Sequence, residues 1–213
     1  MIEIRCTGVL FDSDGVLVDS HQAVEMAWRE LAAEYSLEAD LLAPERAGLP
    51  ARDVLGRYLN GAALGDAVAR LEDLEVALAD DAVALRGATD LLAALGNVPW
   101  AVVTSASRRL AEIRWRAAGL PQPPASVTAD DVENGKPHPD PFLGAAALLG
   151  IAPEESVAFE DSASGGTSAR QSGAAVVAVG RQKWSFVPAA RIPDLAAVDV
   201  RSRSGQCVLA FPS

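Results

Sequence analysis

Four short apolar runs, at residues 7–11, 100–104, 156–159 and 174–179, are each followed by turn or polar residues and then by a helix-like stretch. Strands that are apolar along their whole length belong to sheets covered on both faces, and their alternation with helices marks parallel strands joined by crossovers. The pattern therefore predicts an α/β fold: a doubly wound parallel sheet with helices on both sides. Three helices are legible at their ends, because the stretches 108–118, 141–149 and 166–172 run into Gly119, Gly150 and Gly173. Glycine just past the last turn is the expected C-terminal signal.

Between Ser20 and Arg86 the rhythm changes. The helix-like blocks 22–35, 37–42, 52–60 and 66–79 follow one another with no strand between them. This predicts a helical module inserted after the first strand, with the sheet resuming near Ala88. The expected division is a core of residues 1–18 and 87–213 and an inserted helical domain of residues 19–86. The tail, 182–213, is weakly patterned; Pro193-Asp194-Leu195 and residues 198–200 point to a last edge strand.

Charge narrows the classes of partner. Lys plus Arg total 18 against 29 Asp plus Glu, for a formal charge of −11. Such a surface disfavours nucleic acid and anionic membranes, whose binding requires clustered cations. A small anionic ligand is still compatible, but only where local cations or a metal reverse the field. Lys136 and Lys183 are the only lysines, and Cys6 and Cys207 the only cysteines. Two separated thiols, no secretory signal at the N-terminus and no apolar run of membrane-spanning length lead to the expectation of a cytoplasmic protein, with a monomer as the default state.

The residues suited to chemistry lie at the ends of the expected strands. Leu10-Phe11-Asp12-Ser13-Asp14-Gly15 carries an apolar strand into two aspartates and a glycine. Ligands of open α/β sheets bind beyond the carboxyl ends of the strands, where these acids fall. Two crowded carboxylates call for a compensating cation, and Mg²⁺ with its oxygen ligands is suitable. Asp12 could then attack phosphorus, and Asp14 could serve as general acid and base. Taken alone, the segment also suits an ordinary acidic turn. Thr104 and Ser105 end another strand, where a hydroxyl could donate to a phosphoryl oxygen or simply cap the next helix. Lys136 sits in the proline-spaced loop Gly135-Lys136-Pro137-His138-Pro139, where a fixed position is favoured over a solvated one. Glu160-Asp161 ends a further strand and could complete a metal shell or favour a helix N-terminus.

Asp12-Ser13-Asp14-Gly15, Thr104-Ser105, Lys136 and Glu160-Asp161 together resemble the four signature motifs of the haloacid dehalogenase superfamily, in order. The segments Val103-Thr104-Ser105-Ala106-Ser107 and Phe159-Glu160-Asp161-Ser162 most resemble its small-sugar and polyol phosphatases, with β-phosphoglucomutases as close relatives. The resemblance implies a Rossmann-like core with a helical cap, Mg²⁺, and an aspartyl-phosphate on Asp12. It makes Asp14 the general acid/base, Thr104 and Lys136 further catalytic groups, and Ser105 a phosphoryl or substrate contact. Asp12, Asp14 (through its carbonyl), Glu160 and Asp161 become the metal ligands. The implied activity is hydrolysis of a small phosphate monoester, a sugar or polyol phosphate.

Within the family, Asp14 disfavours a dehalogenase, and the absence of lysine between residues 20 and 86 removes the phosphonatase chemistry. Phosphosugar mutase activity is the alternative. It is disfavoured because Val24 stands where that pattern has a histidine and the cap lysine has no counterpart. Polyol phosphatases often carry a histidine in the cap loop, where this chain reads Arg46-Ala47-Gly48. Arg46 and Arg52 are the candidate substrate contacts from the cap. His21 and His138 fit no zinc or triad pattern and are read as peripheral. A catalytically silent phosphometabolite-binding protein is the second alternative, against which the intact Asp12, Asp14, Lys136 and Asp161 weigh.

Overall fold

The structure, a computed structural model, describes residues 1–37, 46–203 and 206–212. In chain order the strands are β1 (Ile2–Cys6), β2 (Gly8–Phe11), β3 (Val18–Asp19), β4 (Val83–Ala84), β5 (Trp100–Val103), β6 (Ser126–Val127), β7 (Ser156–Glu160), β8 (Ala175–Val179), β9 (Ala190–Ile192), β10 (Asp199–Arg203) and β11 (Gln206–Phe211). The helices are α1 (His21–Glu34), α2 (Ala51–Leu55), α3 (Gly61–Ala77), α4 (Ala88–Leu95), α5 (Arg108–Ala117), α6 (Asp140–Leu149) and α7 (Ala163–Ser172).

The main sheet has the order β6-β5-β2-β7-β8-β9, and every pair in it is parallel. Numbered by their own sequence order, these strands run 3-2-1-4-5-6, the doubly wound arrangement with its switch point beside the first strand. Side chains alternate between two packed layers, as strand geometry requires. Val9 and Phe11 of β2, Val102 of β5 and Phe159 of β7 face a layer with Leu91, Leu92 and Trp115. Leu10, Val103 and Ala158 face the other, with Phe142, Ala145 and Ala169. Phe11 stacks on Phe159 with ring centroids 5.1 Å apart, which ties the two strands at the switch point. Most of the remaining layer contacts are Ala, Leu and Val, as the low aromatic content requires.

Residues of α1, α2 and α3 form their own buried cluster, in which Trp28, Leu31, Leu55, Leu71 and Leu74 pack together. The expected helical insertion is therefore present, with α2 shorter than the 52–60 block; of the 37–42 block, residues 38–42 lie outside the described residues. The sheet does not resume near Ala88. Residues 88–95 are α4, and the next main-sheet strand begins at Trp100. The chain returns from the helices through β4, which pairs with β3 as an antiparallel two-stranded link. The tail agrees with expectation in part: residues 199–203 form an edge strand, β10, but in a second sheet and with β11 following it. The edge of the main sheet is β9, ending at Ile192, before Pro193-Asp194-Leu195. Residues beyond it join β1 in a separate antiparallel sheet of order β1-β11-β10, where Cys6 lies opposite Cys207.

Candidate active site

The carboxyl ends of β2, β5 and β7 meet at the switch point, and each delivers a polar side chain there. Beyond Phe11 the strand continues one step, because the Asp12 N–H donates to the Phe159 carbonyl at 2.9 Å. The chain then folds back: the Ser13 carbonyl accepts from the N–H groups of Leu17 and Val18, and Gly15 adopts φ +85°. Only glycine suits this point on two grounds. The backbone is left-handed, and a Cβ there would lie 2.0 Å from Asp161 Oδ2. The buried Trp115 Nε1 donates to Ser13 Oγ at 2.9 Å, anchoring the turn to α5.

Lys136 is the electrostatic centre. It is 1% exposed, and its ammonium donates to Asp12 Oδ1 at 2.6 Å, Glu160 Oε1 at 2.7 Å and the Val103 carbonyl at 3.0 Å. Three donors meet three acceptors, so the cation is fully satisfied. Burial alone would lower the Lys136 pKa, but Asp12 and Glu160 more than offset it and hold the group above its ordinary range. Burial pushes the Asp12 carboxyl up, Lys136 opposes the shift, and Glu160 and Asp161 add to it.

Adjacent acids at the end of β7 take different roles because successive strand residues point in opposite directions. Glu160 is fully buried; one oxygen meets Lys136 and the other accepts from the Ser162 N–H at 3.0 Å and Ser162 Oγ at 2.9 Å. Ser162 also caps α7 by accepting from the Gly165 N–H. Asp161 turns to the cavity, and its carboxyl is pushed up to about 7, first by burial and then by Glu160.

A Cβ on Gly165 would fall 1.6 Å from Glu160 Oε1. Alanine ordinarily improves a helix over glycine, but here overpacking reverses the sign. Gly165→Ala is expected to destabilise the protein by about 2 kcal/mol or more and to displace Glu160 from Lys136. A urea midpoint equal to or above that of the wild type would contradict this packing.

The carboxylate oxygens of Asp12, Glu160 and Asp161 lie within 4.8 Å of one another. Lys136 neutralises the first two, while Asp161 has no cation within ion-pair range among the described residues. An all-oxygen donor set with surplus negative charge fits a hard divalent cation such as Mg²⁺. The fit rests chiefly on Asp12 and Asp161, since both Glu160 oxygens are already bonded. The Asp14 carboxylate is not in this cluster. It faces Ser20 Oγ and Arg114 Nη1, the latter at 3.1 Å, leaving only the Asp14 main-chain carbonyl for the expected metal role.

A cavity of about 160 Å³ opens beside Asp12, lined also by Asp14, Thr104, Ser105, Arg46 and Asp161. Thr104 is buried, and its Oγ1 accepts from the Ala106 N–H. Ser105 Oγ donates to the Gly48 carbonyl at 2.8 Å, so in this arrangement it ties the 46–50 loop to the core. Arg46 reaches the cavity with its guanidinium 5.1 Å above the Trp28 ring, half-buried, and burial lowers its pKa. Arg52 does not reach it; exposed on α2, it borders a wider adjoining cleft of about 770 Å³. His21, expected to be peripheral, borders the Asp12 cavity.

Two residues on the cavity wall escaped the sequence reading. Arg114 of α5 is 2% exposed and reaches Asp14 and, at 3.5 Å, Glu75 of α3. The Glu75 carboxyl is pushed up to about 7 by burial, against the pull of Arg114. A signal existed in both helices. Arg114 falls on the same face as Leu110 and Ala111, and Glu75 one turn after Leu71, so each is a charge on an apolar stripe.

Residues 6–173 match the haloacid dehalogenase-like hydrolase family. Hexitol phosphatase A of Escherichia coli (strain K12) is 42% identical over 181 residues, covering 83% of this chain and 84% of that protein. Fructose-1-phosphate phosphatase of the same organism is 32% identical over 176 residues, covering 79% and 94%. The crystal structure of a hydrolase from Pseudomonas syringae superposes with a TM-score of 0.74 at 27% identity, over 81% of this chain and 84% of that one. The chain belongs to the haloacid dehalogenase-like hydrolase family. No helix among the described residues is long and apolar enough to cross a membrane.

Proposed function

We propose that the protein is a Mg²⁺-dependent phosphatase that hydrolyses a small sugar or polyol phosphate through an aspartyl-phosphate on Asp12. The observation that carries this reading is Asp12 bonded to Lys136 and clustered with Asp161, with Asp12, Asp14 and Asp161 lining one cavity. The phosphatase names of the two relatives support the choice of substrate class. The reading extends to a cytoplasmic monomer in which residues 19–86 act as a cap over a core of residues 1–18 and 87–213.

In the first step an Asp12 carboxylate oxygen bonds to phosphorus as the bond to the leaving alkoxide breaks. Asp14 gives that oxygen its proton. In the second step Asp14 takes a proton from water, whose oxygen bonds to phosphorus and releases Asp12 and inorganic phosphate. Lys136 balances charge on Asp12 throughout, and Glu160 and the Val103 carbonyl hold its ammonium in place. Thr104 and Ser105 border the space where the phosphoryl oxygens would lie. A bound divalent cation, held by Asp12 and Asp161 with the Asp14 carbonyl, supplies charge neutralisation for the phosphoryl group. The cap excludes bulk water from the reacting atoms.

The test is phosphate release from a panel of sugar and polyol phosphates with Mg²⁺. Turnover is expected to vanish in excess EDTA and to return with Mg²⁺. Undiminished turnover in chelator would contradict cation dependence, and no release from any ester would remove the phosphatase reading.

A further inference from the structure

The cavity beside Asp12 is bordered by arginines that carry buried hydrogen-bond donors without partners. Nε and Nη2 of Arg114 are buried with no hydrogen-bond partner, and so is Nε of Arg46. Arg114 approaches Asp14 and Glu75 at ion-pair distances without satisfying those two nitrogens. Buried N–H donors without acceptors are costly, so natural proteins seldom retain them without a ligand or water to complete them. These donors border one cavity, Arg114 from the core side and Arg46 from the cap side, and Glu75 lines the same cavity with a carboxylate that can accept.

We propose that Arg114 and Glu75 bind the hydroxyl groups of a neutral, polyhydroxylated leaving group, with Arg114 donating to one oxygen and Glu75 accepting from another. This rests on the phosphatase reading above and assigns its specificity to a pair bridging α5 and α3. The charges on this wall decide against a second anion. Asp12, Asp14, Glu75 and Asp161 outnumber Arg46 and Arg114 on the cavity lining, Arg114 is already paired with both Asp14 and Glu75, and Lys136 is shared by Asp12 and Glu160. A carboxylate or second phosphate on the substrate would meet this surplus of negative charge. A hydroxyl both donates and accepts, so vicinal hydroxyls can pair with the guanidinium and the carboxylate at once. A site built this way rejects substrates lacking those hydroxyls, because its own buried groups are then left unpaired. The pair also joins cap to core, so it is complete only while α3 lies against α5.

The experiment compares three probes on the Mg²⁺-loaded protein: sorbitol 6-phosphate, hexyl phosphate, which has the same chain length without hydroxyls, and p-nitrophenyl phosphate. The wild type is expected to favour sorbitol 6-phosphate over hexyl phosphate by about 100-fold or more in kcat/KM. In Glu75→Gln, which preserves shape, that preference is expected to fall by at least about 10-fold. Loss on sorbitol 6-phosphate is also expected to exceed loss on p-nitrophenyl phosphate, whose leaving group has no hydroxyls to bind. Equal wild-type rates on the two hexyl chains, or equal losses on all three probes in the variant, would overturn the pair's role and leave the phosphatase reading standing. No wild-type turnover of any of the three would overturn both. The wild-type comparison requires no substitution, so it decides even if a variant fails to fold.

Discussion

Asp12→Asn is expected to lower kcat by about 10⁴-fold or more on every phosphate ester while leaving the protein folded. Removing a covalent nucleophile eliminates the first chemical step, and losses of that order or greater accompany such removals in enzymes whose groups act as a unit. Stability should move the other way or not at all. The Asp12 carboxylate sits 7% exposed beside Glu160 and Asp161, and its burial already opposes ionisation. An amide of the same shape removes that desolvation and like-charge repulsion, at the loss of one of two acid partners for Lys136. Glu160 and the Val103 carbonyl still hold the ammonium. Urea unfolding beside a phosphate-release assay separates the two effects. A variant with more than a hundredth of wild-type kcat would exclude Asp12 as the nucleophile.

Lys136→Met is expected to lose both activity and stability. Among the described residues the ammonium is the one cation bonded to Asp12 and Glu160, and its removal leaves two buried carboxylates without it. Breaking a buried ion pair by deleting one partner costs about 3–5 kcal/mol, whereas replacing the whole pair with neutral groups is often harmless. The double variant Lys136→Met with Glu160→Gln is therefore expected to recover about half or more of the lost stability. It should recover no activity, since the charge balancing Asp12 is still missing. A single variant as stable as the wild type would contradict the role assigned to Lys136, and so would a double variant with restored turnover.

Much of this site was legible from the sequence because its residues lie at strand ends, and strands this apolar announce themselves. Asp12 and Thr104 follow β2 and β5, Glu160 ends β7 with Asp161 just beyond it, and the doubly wound order brings those ends together. Lys136 was legible for a different reason: lysine is rare in this chain, and glycine and prolines fix its loop. What the sequence hid depended on partners distant in the chain. Residues 2–6 become β1 only by pairing with β11, some two hundred positions away. Val83–Ala84 is too short to show a period and is defined by β3. Glu160 and Asp161 look equivalent as neighbours, yet strand alternation sends one behind Lys136 and the other to the cavity. Ser105 offers a hydroxyl suited to phosphate, but the nearby Gly48 carbonyl takes it. Arg114 and Glu75 acquire meaning only once α5 and α3 face each other across the cavity.

The stereochemical course at phosphorus, followed with a substrate chiral by oxygen isotopes, tests most directly whether the phosphoryl group passes through an enzyme carboxylate. Two successive in-line displacements, first by Asp12 and then by water, predict net retention. Inversion would mean that water attacks the substrate directly, and the covalent role of Asp12 would be wrong.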